Sequence, residues 1–120
     1  MEFRCFIKDK KLIAISQRDI TQVFDYLKTG KSELQNHIKA FINEKIITQM
    51  NSYQSGLQNY IVDLYLETKK DEDYKVFYKS WLLDINPWLP VSIDSLLFSW
   101  EELESDINFE FRIVENQNMI

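Results

Sequence analysis

Glycine and proline are nearly missing from this chain: its 120 residues hold two of each, Gly30, Gly56, Pro87 and Pro90. A dinucleotide fingerprint or a Walker loop needs clustered glycines to bring backbone N–H groups against phosphate, so neither can be written here. Cysteine occurs once, as Cys5, and histidine once, as His37. One cysteine cannot form an internal disulfide, and the two residues together fall short of the four ligands of a Cys/His zinc site. Any metal is therefore expected to be oxygen-bound. No apolar run approaches the roughly 18 residues that suggest a membrane span. Met1-Glu2-Phe3-Arg4 lacks the basic-then-apolar order of a secretory leader. The expectation is a soluble, cytoplasmic protein of a reducing compartment with no membrane partner.

What is present suits a folded unit. Apolar residues make up 45% of the chain, aromatic residues 14% and charged residues 28%, a composition that can offset folding entropy. The length predicts one domain over 1–120. A net charge of −5 argues against a direct nucleic-acid binder. The charge is uneven: nine basic and six acidic residues precede residue 61, and five basic and thirteen acidic residues follow. An ion site beside an anion site would have this asymmetry, although solvated surface charge produces it more often.

Short apolar runs over Glu2–Ile7 and Leu12–Ser16 flank Lys8-Asp9-Lys10-Lys11 and predict a β-hairpin. Phe3, Cys5 and Ile7 would share one face, with Arg4 and Phe6 on the other. From Asp19 the period becomes helical. Ile20, Val23, Phe24 and Leu27 form a stripe, Asp19 and Gln22 can act as a capping box, and Gly30 is expected to stop the helix. A second helix is expected from Ser32 to about Met50, with Leu34, Ile38, Phe41, Ile42 and Ile46 buried. His37 sits beside that stripe and is expected as a surface or partly buried helix residue rather than a catalyst.

After a polar break over Asn51–Gly56, the run Asn59–Leu66 predicts an interior strand whose one anomaly is Asp63. A charged connector, Glu67–Asp73, leads to a strand from Lys75 to Asn86. Asp94 would cap a short helix through Leu96, Leu97, Trp100 and Leu103, and Phe109–Val114 alternates as a last strand. The order ββααββαβ predicts an α+β fold, an antiparallel sheet flanked by helices.

Asp84 and Asn86 are two apart on one strand, so their side chains leave the same face about 7 Å apart. If the two later strands pair so that partner numbers sum to 147, Asp63 faces Asp84 and joins that face. Two unpaired carboxylates between Ile61, Tyr65 and Leu82 would repel, and a Mg²⁺ ion with its preference for hard oxygens would relieve them. Asp-x-Asn before proline is also an ordinary strand end, which from spacing alone is the commoner reading. Arg4 reads either as a sheet-face arginine paired with a surface acid or as a phosphate clamp.

Five segments, in order, carry a resemblance: Glu2-Phe3-Arg4-Cys5-Phe6, the stretch Leu12 to Asp19 that ends Ser16-Gln17-Arg18-Asp19, the run Leu83-Asp84-Ile85-Asn86-Pro87-Trp88, the segment Asp94 to Leu103, and Phe111-Arg112-Ile113-Val114-Glu115. Together the chain resembles the cell division cycle protein 123 family. The resemblance implies the larger lobe of an ATP-grasp fold that binds ATP with Mg²⁺ and serves as an assembly factor for eukaryotic translation initiation factor 2, acting on its gamma subunit. By position it implies that Asp63, Asp84 and Asn86 hold metal and phosphate, that Arg4 faces the phosphates, and that Arg18 is a further nucleotide contact. Family members are much longer, and their smaller N-terminal lobe, with a phosphate-reaching lysine, is expected to be missing here. The resemblance leaves two alternatives: a nucleotide-free interaction module, and an ATP-grasp ligase, for which no residue commits to acyl chemistry.

Overall fold

A computed structural model of the chain describes residues 1–53 and 56–120, so part of the expected break over 51–56 lies outside the described residues. Strands β1 (Glu2–Lys8) and β2 (Lys11–Gln17) form the first hairpin. Asp9 and Lys10 have φ of 52° and 64°, the turn conformation whose twist matches the strands of a two-residue hairpin. Strands β3 (Tyr60–Lys70) and β4 (Val76–Pro87) form the second. The expected connector 67–73 is largely strand, because Glu67, Thr68 and Lys69 pair with Lys79, Tyr78 and Phe77 and set opposite charges across the ladder. The turn itself is held by Asp71, whose Oδ1 accepts from the amides of Asp73 and Lys75, both at 2.9 Å.

The five strands of the described residues lie in one sheet of order β4-β3-β1-β2-β5. Three neighbouring pairs are antiparallel, but β5 (Glu110–Arg112) runs parallel to β2. The expected antiparallel sheet therefore has one parallel edge. The chain leaves β4 at the opposite edge and crosses the whole sheet before it reaches β2, which frees β5 from the reversal that a tight hairpin imposes.

Phe3, Cys5, Ile7, Ile15, Val62 and Leu64 point to one face and are wholly buried there under helix α1 (Asp25–Phe41). The two helices expected on either side of Gly30 are one. Gly30 does not terminate it: glycine costs a helix only about 1 kcal/mol, and Leu27, Leu34 and Ile38 form an unbroken buried stripe across it. A Cβ at Gly30 would lie 3.5 Å from Tyr78 Oη, so the helix passes close to β4 there. Residues 19–24 lie before the helix. Asp19 does not cap it; its Oδ1 accepts from the amide and hydroxyl of Thr21, at 3.0 and 2.6 Å, and these bonds lower its carboxyl pKa. The helix continues through a π-helical turn, Ile42–Ile47, into α2 (Thr48–Ser52). His37 is half-buried, with Nε2 2.6 Å from Ser80 Oγ and its ring beside Tyr78, and burial lowers its pKa.

The opposite face carries a smaller core in which Trp88, Phe98 and Trp100 surround Phe6 edge-on, with ring centroids 5.8 to 6.3 Å away. Ala14, Ile61 and Leu103 complete it. Helix α3 (Trp100–Glu104) is capped by Ser99, not by Asp94. Ser99 and Glu102 exchange side-chain and backbone bonds in a capping box, with distances of 3.0 and 3.1 Å. Asp94 instead accepts from the amide of Leu96 at 2.8 Å and closes a turn in which Leu96 has φ of 57°.

Candidate functional site

The second face does not stay apolar. Strand pairing aligns Arg112, Ser16, Arg4, Asp63 and Asp84 in a single row across β5, β2, β1, β3 and β4. Period-two alternation puts all five side chains on the side opposite Phe3, Cys5 and Leu64. The neighbouring row runs through Glu110, Ala14, Phe6, Ile61 and Asn86. Asp63, Asp84 and Asn86 thus share one face, in the register that a sum of 147 requires from Tyr60 to Asp63. Beyond Asp63 a bulge shifts the ladder by one residue and pairs Leu82 with Leu64. Leu82, expected beside Asp84 on this face, moves to the other.

Arg4 and Asp63 form the centre of the row. Nε and Nη2 of Arg4 donate to the two carboxylate oxygens of Asp63 at 2.9 and 3.0 Å, and Nη1 donates to the carbonyl of Asp94 at 2.8 Å. The two residues are 6% and 8% exposed. The fork-to-fork geometry is the strongest form of such a pair, because each charge removed from water meets a matched partner. The expectation of two unpaired carboxylates is therefore corrected for Asp63, which Arg4 neutralises. Asp84, opposite it, is exposed, and Asn86 is half-exposed. Asn86 Nδ2 donates to Asp84 Oδ2 at 3.2 Å, which leaves Asn86 Oδ1 and Asp84 Oδ1 available to a hard cation. Among the described residues there is no group of three or more His, Cys, Asp or Glu side chains able to hold a metal. A metal here would depend on the Asn86 amide and on ligand or water oxygens.

Arg18 lies just past β2, exposed, and its amide donates to the carbonyl of Glu2 at 3.1 Å. It lines a cleft of about 330 Å³ with Glu2, Asp19, Thr21, Asp94 and Leu96. The same Asp94 segment takes the Arg4 hydrogen bond and lines the Arg18 cleft, but Arg18 stands outside the row. Gln17, wholly buried, anchors this corner. Its Nε2 donates to the carbonyls of Asp19 and Gln22 at 2.6 and 2.9 Å, and its Oε1 accepts from the amide of Val114 at 2.9 Å.

Sequence reasoning gave no role to Arg112. Its guanidinium meets Glu102 at 2.6 Å and Glu110 at 2.9 Å and stacks 4.2 Å from the Phe98 ring. Arg112, with Ser99, holds the Glu102 carboxyl at about 2, and the two acids raise the Arg112 pKa in return. The alternation of Phe109–Val114 was the available signal, since it sets Arg112 on the face opposite Phe111. On the covered face, burial raises the pKa of the Cys5 thiol, with the Asp63 charge adding to the effect.

The fold and the polar row define an α+β sheet protein with one apolar, helix-covered face and one face lined by a buried ion pair and oxygen donors. The model of the D123 family matches residues 1–120, and the chain belongs to that family. It is 36% identical over 99% of its length to a translation initiation factor eIF2 assembly protein of Lodderomyces elongisporus, and 39% identical over 98% to one of Xenopus laevis. It spans about 30% of the length of each of these relatives. The fold matches the structure of Cdc123 from Schizosaccharomyces pombe with a TM-score of 0.67 and 31% identity, over 96% of this chain and 41% of that one. No described helix is long and apolar enough to cross a membrane.

Proposed function

We propose that residues 1–120 form one ATP-grasp-type lobe of an assembly factor for translation initiation factor eIF2, that it acts through the gamma subunit, and that its open sheet face takes ATP with Mg²⁺. Support for the assembly role comes from family membership and from the relatives, which are eIF2 assembly proteins by name. The observation that carries the nucleotide part is the shared face of Asp63, Asp84 and Asn86, two of which present oxygens to solvent. That donor set is all hard oxygen and suits Mg²⁺, which keeps several waters and is completed by phosphate. Bound there, the ion would offset phosphate charge. Arg4 would set the orientation of Asp63, whose oxygens keep lone pairs beyond those that Arg4 occupies. Arg18, exposed beside the Asp94 turn, would meet the phosphates.

Titration calorimetry of Mg·ATP into this chain, and into this chain joined to the lysine-bearing N-terminal lobe of a family member, tests the nucleotide part. Heat that Asp84→Ala abolishes supports it, and silence from both proteins removes it. A second reading, an interaction module that needs no nucleotide, is favoured by one observation: Arg4 already neutralises Asp63, so the buried charge does not demand a cation. Pull-down of the gamma subunit separates the two. Capture unchanged by Asp84→Ala and by removal of ATP selects the module.

A further inference from the structure

On the helix-covered side of the sheet, remote from the polar row, a groove of about 260 Å³ opens where the β1–β2 turn meets the end of α1. Lys10, Lys11 and Lys39 line it together with Asn43, and no carboxylate does. Its apolar wall is Leu12, Ile47 and Phe109, each only partly buried. Lys39 Nζ rests 3.9 Å from the centroid of the Phe109 ring. None of the three lysines enters an ion pair among the described residues. Lysines without a carboxylate among the lining residues make the cleft locally basic in a chain of net charge −5. A second feature coincides with them. Asn43 and Ile47 belong to the π-helical turn, where Thr48 Oγ1 bonds the carbonyl of Asn43 at 2.9 Å, and such turns are rare and concentrate at functional sites.

We propose that this groove docks an acidic peptide segment carrying one bulky apolar side chain. The lysines would face the carboxylates and the apolar wall would take the anchor, so charge gives orientation and encounter rate while the buried side chain gives residence. A nucleic acid fits less well. The net negative charge repels a long polyanion, and an apolar wall of this size matches one or two side chains rather than a phosphodiester backbone. Arg4 points to the face of β1 opposite the one that α1 and the π-helical turn cover, so the groove and the polar row can be occupied independently.

The test is fluorescence anisotropy of the whole chain with a labelled peptide Asp-Glu-Phe-Asp-Glu-Asp, its Phe-to-Ala version, and an oligouridine. The peptide should bind saturably, and more weakly as salt is raised toward ~0.15 M, where the screening length falls to about 8 Å. Lys10→Glu and Lys39→Glu should each weaken it about tenfold, and loss of the peptide Phe about as much. Lys10 is an exposed residue of the two-residue turn, so its charge reversal removes no packing. An unchanged anisotropy with the peptide, equal affinity of wild type and Lys10→Glu, or tighter binding of oligouridine than of peptide would each overturn the proposal.

Discussion

Leu64 on the helix-covered face is wholly buried among Val62, Leu66 and the α1 stripe, whereas its neighbour Asp63 on the opposite face is buried beneath a bidentate arginine. The two positions are equally hidden but differ in what hides them. Leu64 is held by area removed from water, which any apolar residue of similar volume would retain in large part. Asp63 is tolerable only while Arg4 is present, because an unpaired carboxylate in that position has lost its water and gained nothing. A covered face of this first kind gives stability. An open face of the second kind gives a fixed electrostatic pattern and leaves Asp84 and Asn86 at its margin without a structural task.

The largest effect is expected from breaking the pair on one side only. Arg4→Met should destabilise the chain by about 4 kcal/mol in urea unfolding, while Arg4→Met with Asp63→Leu should recover most of that loss. Equal destabilisation by the single and double variants would erase the distinction between the faces. Leu64→Ala, one residue away, should cost about 3 kcal/mol by cavity formation, and no change in its partner should rescue it.

Acid unfolding sharpens the comparison at the end of the polar row. The Glu102 carboxyl lies near 2 in the folded chain, below its ordinary value of 4.5. Its stabilisation is therefore present above about pH 4.5 and disappears as pH falls toward 2. Because its side chain is 40% exposed, solvent screening limits the effect to about 1 kcal/mol. Glu102→Gln should flatten the stability profile over that window, and an unaltered slope would contradict the pairing with Arg112.

Smaller effects discriminate equally well. If Gly30 is an interior helix residue with ordinary room for a Cβ, Gly30→Ala should raise stability by about 0.7 kcal/mol. A loss would restore the reading of Gly30 as a helix terminator. Asp84→Ala should change the unfolding free energy by less than about 0.5 kcal/mol, since Asp84 is exposed and, among the described residues, its side chain bonds only Asn86. A loss of several kcal/mol would make Asp84 structural and weaken its assignment to a ligand.

Much of this was legible from alternation. The pattern Phe3, Cys5, Ile7 against Arg4 and Phe6 foretold both faces of β1, and the pairing of Asp63 with Asp84, posed as a condition on the register, is the one the ladder adopts. The helix break at Gly30 and the cap at Asp94 were misread because local propensity was weighed without the tertiary stripe of Leu27, Leu34 and Ile38 or the competing cap at Ser99. The partner of Asp63 could not be read at all. Arg4 is 59 positions away, and nothing local to either residue records that β1 inserts between β2 and β3.

By itself the sequence determined the first hairpin, the facing of β1 and the family, since period-two burial and ordered motifs are properties of neighbours along the chain. Only the tertiary structure decided that Arg4 grips Asp63, that β5 joins parallel, and that Arg112 and Asp84 end one row. Those outcomes depend on which strands lie side by side, and strand order is chosen by the burial of a whole sheet face rather than by any single segment.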